Sequence, residues 1–297
     1  MTHPTYRKIF TSDHGLRAGW SLGAYLVLAA VFVVAVQTAL RVVGDHGVWT
    51  LIAQEAGALS AVMLASLIMA RIERRPWGEF GLPFRPGASG AFWRGTAWGI
   101  GSITMLVALL CVVGVLQLGR VELGGGAILG FAAIWALMFL TVGFFEEFLL
   151  RGYAQFTLAR GIGFWPAALV LSGAFGALHL RNPGETWVGA LSAGLLGLFQ
   201  CLTLRRTGSL WFAVGFHAAF DWGESFIYSL PDSGQVVPGH LLHAALQGSP
   251  WLTGGTVGPE GSIACLVVVG ALWLVFHQWT RRWAPTGGGT DVPLRSD

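Results

Sequence analysis

Charge is what this chain has least of. Asp, Glu, Lys and Arg make up 11% of its 297 residues, against roughly 25% in ordinary globular proteins, while 54% of residues are hydrophobic. That balance excludes the pair of soluble domains that length alone would allow. Cysteine is also scarce. Cys111, Cys201 and Cys265 are odd in number and scattered through apolar segments, forming neither a zinc spacing nor a disulfide framework; they read as small apolar residues. The net charge of +3 gives no sign of a nucleic-acid partner. Neither an internal repeat nor an appended soluble domain is evident.

What remains is apolar sequence in continuous runs, which points to helices and away from a porin-like barrel, whose strands would alternate. Eight spans fit, at about 20–40, 48–70, 92–118, 126–158, 164–180, 187–204, 208–229 and 261–279. The expected fold is all-α: one bundle of about eight transmembrane helices over 20–280, with a segment 1–19 before it and a tail 281–297, rich in Gly, expected to be disordered. The first span is too long for a cleaved signal and reads as retained. Under this model only Arg41, Arg120 and Arg181 fall on one side, while the other basic residues outside the spans fall on the opposite one. The positive-inside rule then puts both termini in the cytoplasm. The stretch from Pro231 to Pro259, without Lys or Arg, fits an exported loop. "RRPWGEFGLPFRPGASG", with three prolines, reads as a connector on the cytoplasmic side.

Ionisable residues inside spans are costly, so they mark candidate sites. Nineteen uncharged residues, Ala127 to Phe145, precede Glu146, Glu147 and Arg151. Glu147 and Arg151 are i,i+4 with the acid first, the better order for an ion pair. Glu146 points about 100° away, which leaves it an unpaired carboxylate fit to act as base or metal ligand. His217 and Asp221 are also i,i+4 and share one helix face. Counted from the cytoplasmic ends of their helices, Glu146, His179 and His217 lie about 21, 22 and 16 Å deep. Three helices thus bring Glu, His and His to comparable levels. Glu55 reads as a hydrogen-bonding group within the bundle and Glu224 as an extension of the polar face. His240 and His243, i,i+3 in the exported loop, read as surface residues because no carboxylate accompanies them in sequence. "GTAWG" (Gly95 to Gly99) would pack helices either within the bundle or between copies.

"EEFLLR" (Glu146, Glu147, Arg151), "FGALH" (Phe175, His179) and "HAAFD" (His217, Asp221) match EExxxR, FxxxH and HxxxN/D in order and spacing. On these the chain resembles the CPBP family of intramembrane proteases, also called the CAAX protease and bacteriocin-processing, or Abi, family, over about residues 126–229. "RRPWGEFGL" and "GPEGS" also look like features of bacterial members. The resemblance implies an intramembrane endopeptidase of a bacterial inner membrane, acting within the lipid bilayer on membrane-associated peptides or proteins, lipidated ones included. It implies that Glu146 activates water beside His179, while His217 and Asp221 complete the cluster. Asp221 stands where members often carry Asn, and its charge favours a metal ligand. Glu146, His179, His217 and Asp221 would then hold a divalent ion such as Zn²⁺ with an open position for water. The other route is metal-free, with His217 at the oxyanion. Motifs for other intramembrane protease chemistries, HExxH, GxSxG and GxGD, are absent. A catalytically silent scaffold or a bacteriocin-immunity-type binding protein would keep the same fold. A small proton-relaying transporter fits less well, since the ionisable groups cluster at one level.

Overall fold

The computed structural model describes residues 11–12, 15–82, 88–236 and 238–283. The expected tail beyond Trp283, much of the N-terminal segment and part of the proline-rich connector lie outside these. Among the described residues the chain is an all-α polytopic membrane protein. Its helices are α1 (Ala18–Val43), α2 (Val48–Ile72), α3 (Ala88–Val112), α4 (Gly126–Leu149), α5 (Gln155–Ile162), α6 (Phe164–His179), α7 (Trp187–Thr207), α8 (Trp211–Trp222) and α9 (Ile263–Thr280). α4 and α5 form one rod through a π-turn at Leu150–Ala154, and a second π-turn, Gly223–Ile227, extends α8. Six rods are long and apolar enough to cross a membrane. α6 is a shorter apolar helix, and α8 with its π-turn makes the eighth segment.

Local chemistry sets the ends of these rods. α7 begins where Thr186 Oγ1 accepts the Gly189 amide at 3.2 Å, and it stops at Gly208, in the left-handed region at φ 67°. Arg205 and Arg206 sit in its last turn, where cations complement the helix dipole. Ser262 caps α9 by accepting the Cys265 amide at 3.2 Å. At the α4 π-turn, Gly152 leaves helical geometry (φ −80°, ψ −124°), and the Tyr25 hydroxyl of α1 donates to the Leu149 carbonyl at 3.1 Å.

The third segment ends earlier than the expected 92–118. After Gly114, at φ 75°, the chain turns into strand β1 (Leu116–Val121), which pairs antiparallel with β2 (Leu242–Leu246). Hydropathy cannot separate an apolar strand from one more helical turn, and the partner strand lies over 120 residues away. The same strand pair revises the reading of the loop histidines. His240 Nε2 and His243 Nδ1 approach Glu122 at 3.1 and 3.0 Å, so these histidines do have a carboxylate beside them.

Helices in lipid gain little from apolar burial against one another, so close backbone approach and shape do the packing. The α3–α8 contact shows this. A Cβ at Gly95 or Gly99 would overlap the Phe212 or Phe216 carbonyl, and one at Gly215 would overlap the Phe92 carbonyl. The "GTAWG" glycines are therefore spent within the bundle. Around this contact Phe199, Phe212, Phe216, Phe220 and Phe276 form an aromatic core. By contrast α1 exposes Val27, Val31 and Val34, as a lipid-facing helix does.

Candidate active site

A cavity of about 200 Å³ opens between α2, α4, α6, α7, α8 and the loops after α8. Glu146, Glu147, His179, His217 and Asp221 all line it. With Phe175, the structure thus brings together six of the seven residues singled out by motif, with Arg151 directly behind.

The two adjacent glutamates divide along the lines their helical angle suggests, with one addition. Glu147 Oε1 accepts Arg151 NH1 at 3.3 Å, both side chains being 1% exposed. The same oxygen also accepts His217 Nδ1 at 2.9 Å. Glu147 is therefore more than a counterion: it fixes the ring of His217. Glu146, with 27% of its side chain exposed, instead faces His217 Nε2 at 3.5 Å. Asp221 Oδ2 approaches the same nitrogen at 3.4 Å. One imidazole is thus bounded by three carboxylates contributed by two helices.

His179 is held by the first residue of its own motif. Its Nδ1 lies 2.9 Å from the Phe175 carbonyl, and the two rings meet edge to face at 4.5 Å. Phe175 also lies under the Arg151 guanidinium at 4.6 Å, a cation–π contact. FxxxH and EExxxR are thereby joined through one aromatic ring. A carbonyl oxygen only accepts, so His179 Nδ1 carries a proton toward it. α7 admits the guanidinium only because residue 197 is glycine: a Cβ there would overlap Arg151 NH2 and lie 3.2 Å from Phe175.

Glu55 of α2 also lines the cavity, a more specific place than a general bundle hydrogen bond. Asp232 and Glu260, which sequence reasoning did not single out, also line it, with Ser233. The signal for them was slight: Glu260 sits in "GPEGS", and Asp232 follows a proline in a segment without helical periodicity. Glu260 Oε1 accepts the Ser233 amide at 2.7 Å and its hydroxyl at 3.0 Å. Burial pushes the Glu260 carboxyl up despite the nearby His179 and Ser233. Burial, followed by the charges of Asp221 and Glu260, holds Asp232 well above the usual carboxylate range. Glu224 is fully buried next to both.

This geometry suits hydrolysis. A carboxylate open to a cavity can take a proton from water, an imidazole of fixed orientation can steady developing negative charge, and the charges behind them are paired. Both histidines have Nδ1 committed to an oxygen acceptor, the arrangement that orients metal-binding imidazoles. Glu146, His179, His217 and Asp221 are donors of the types a zinc-like ion takes, but among the described residues the acids and histidines whose ligand atoms all converge within 4.8 Å are Glu224, Asp232 and Glu260.

Comparison with known proteins bears on this constellation. Residues 128–223 match the family model described as type II CAAX prenyl endopeptidase Rce1-like. The match covers about a third of the chain, contains all seven motif residues and agrees with the family resemblance of the three motifs. No curated protein and no solved structure matches the chain.

Proposed function

We propose that this chain is an intramembrane endopeptidase in which Glu146 is the general base. The observation that carries this reading is the division of labour between neighbours. Glu147 is committed to Arg151 and His217, while Glu146 faces the cavity opposite His217 Nε2. Glu146 takes a proton from water as its oxygen attacks the scissile carbonyl carbon. His217, steadied through Nδ1 by Glu147, faces the oxygen that becomes negative. The C–N bond then breaks, and the proton held by Glu146 passes to the leaving amine. His179, held by Phe175, orients the water from the other wall.

A zinc-like ion held by Glu146, His179, His217 and Asp221 would lower the pKa of a bound water and polarise the carbonyl. The supporting residues would keep their assignments with such an ion: Glu147 and the Phe175 carbonyl fix the two imidazoles, and Arg151 balances Glu147, while Glu146 and His217 would act as ligands in place of base and oxyanion partner. The substrate is a membrane-associated peptide or protein, with a lipidated C-terminal peptide the form that the matching family's name suggests. The proposed setting is a bacterial inner membrane with both termini cytoplasmic.

The test is cleavage of a fluorogenic membrane-anchored peptide, with and without a lipid group, by purified protein in vesicles. Glu146→Gln is expected to lower the rate by about 10²-fold or more, with unfolding behaviour unchanged. Wild-type turnover by Glu146→Gln would remove the general-base assignment. Metal analysis separates the two routes: equal metal content in wild type, His217→Ala and Asp221→Ala would remove the metal-assisted one.

A further inference from the structure

Beside the histidine cluster, the loop side of the same cavity contains a second constellation. Asp232 and Glu260 come from the segment between α8 and α9, and both line the cavity. Glu224 is aimed at them from the π-turn that extends α8: one ligand atom from each residue lies within 4.8 Å of the others. Glu224 is 0% exposed, and neither of its carboxylate oxygens has a hydrogen-bond partner. A buried carboxylate left unsatisfied costs several kcal/mol unless a proton or a cation neutralises it. Among the described residues no lysine or arginine lines the cavity to do so.

The backbone is shaped around this point. Leu230 N–H donates to the Glu224 carbonyl at 3.0 Å, and Gly234 N–H to Val257 O at 2.9 Å. Gly258, at φ 120°, brings the chain beside Glu224 Oε1, where a Cβ would lie 3.5 Å from that oxygen and overlap the Pro231 carbonyl. Three chain segments thus converge on one group of oxygens.

We propose that Glu224, Asp232 and Glu260 bind a hard divalent cation, calcium by preference, which pins the α8–α9 segment over the end of the cavity. Three carboxylates without nitrogen or sulfur donors select hard ions over zinc. Carboxylates on a loop suit Ca²⁺, which accepts irregular oxygen sets, better than Mg²⁺, which demands near-ideal octahedral geometry and keeps several waters. The site is independent of the proteolytic reading: it uses none of the motif residues, and its role is to hold a segment in place.

The experiment is thermal unfolding of the full-length protein in detergent after EDTA treatment, with CaCl₂ or MgCl₂ titrated in. Calcium at about 100 times its Kd is expected to raise the midpoint by roughly 5 °C or more, with magnesium less effective. The rise should persist in His217→Ala and vanish in Glu224→Gln and Asp232→Asn. In EDTA the two amide variants should melt above wild type, since each removes one of three crowded charges. If Glu224→Gln does not fold, Asp232→Asn carries the test alone. No shift with either ion, or an undiminished shift in Asp232→Asn, would overturn the proposal. So would a shift lost in His217→Ala but kept in Asp232→Asn, which would assign the ion to the histidine cluster.

Discussion

Arg151→Met is the perturbation that most directly tests how the bundle tolerates its charges. Arg151 and Glu147 are each 1% exposed and 3.3 Å apart, an attraction of about 5 kcal/mol at an effective dielectric constant of about 20. Removing one partner of a buried pair costs about 3–5 kcal/mol, because the other charge is left without compensation. Glu147 would retain only His217 as a partner, and the guanidinium's contact with Phe175 would also be lost. Glu147→Gln should cost a similar amount, since Arg151 already has Nε and NH2 without partners. The double variant removes both charges and should cost far less than the sum, giving a coupling of about 2–3 kcal/mol in a double-mutant cycle. Unfolding of all four proteins by denaturant titration in one detergent measures the cycle. Additive losses would refute the claim that these charges exist for one another. The double variant should nevertheless remain slow in peptide cleavage, because an amide at 147 holds the His217 ring less firmly than the carboxylate that now accepts Nδ1 at 2.9 Å.

Gly197→Ala should destabilise by about 1–3 kcal/mol through overlap with the guanidinium, and by less in the Arg151→Met background, as the same titration would show. Gly99→Leu forces α3 away from the Phe216 carbonyl and should lower the unfolding midpoint without changing any residue of the site. At the basic end of the bundle, burial raises the Glu73 carboxyl. Ser21, Arg160, Tyr153 and Arg75 outweigh that and hold it below its ordinary value. A depressed folded pKa gives stability that is present above the unfolded value, near 4.3, and lost as pH falls through the folded one. Glu73→Gln should therefore lower stability at pH 7 and flatten the acid side of a stability profile taken from pH 7 to 3. A profile parallel to wild type would contradict that linkage.

Much of this was legible in order and spacing. The eight segments follow from hydropathy, and the i,i+4 rule correctly paired Glu147 with Arg151. The hydrogen bond from His217 Nδ1 to Glu147 was not legible, because it spans 70 residues and depends on how α4 and α8 are rotated about their axes. Adjacent glutamates point about 100° apart on a helix. That angle says they differ, but not that His217 lies between their directions and meets both. Phe175 looked like one end of a motif; its part in holding both Arg151 and His179 needed the packing of α6 against the α4 π-turn. Strand β1 was missed because its partner is distant, and Asp232 and Glu260 because loops have no period against which a residue stands out.

The distribution of charge around the cavity explains why its two ends differ. At the motif end each acid has a nearby positive or protonatable group: Glu147 has Arg151, and Glu146 and Asp221 share His217. That end is close to balanced, as a site must be if one carboxylate is to gain and lose a proton while the rest keep their states. At the loop end Glu224, Asp232 and Glu260 gather within 4.8 Å, and no lysine or arginine among the described residues lines the cavity beside them. Like charges at such separations raise one another's proton affinity or attract a cation. An unpaired guanidinium there would compete with His217 for Asp221. A removable ion or proton avoids that competition, so the loop can be fastened without disturbing the balance around Glu146.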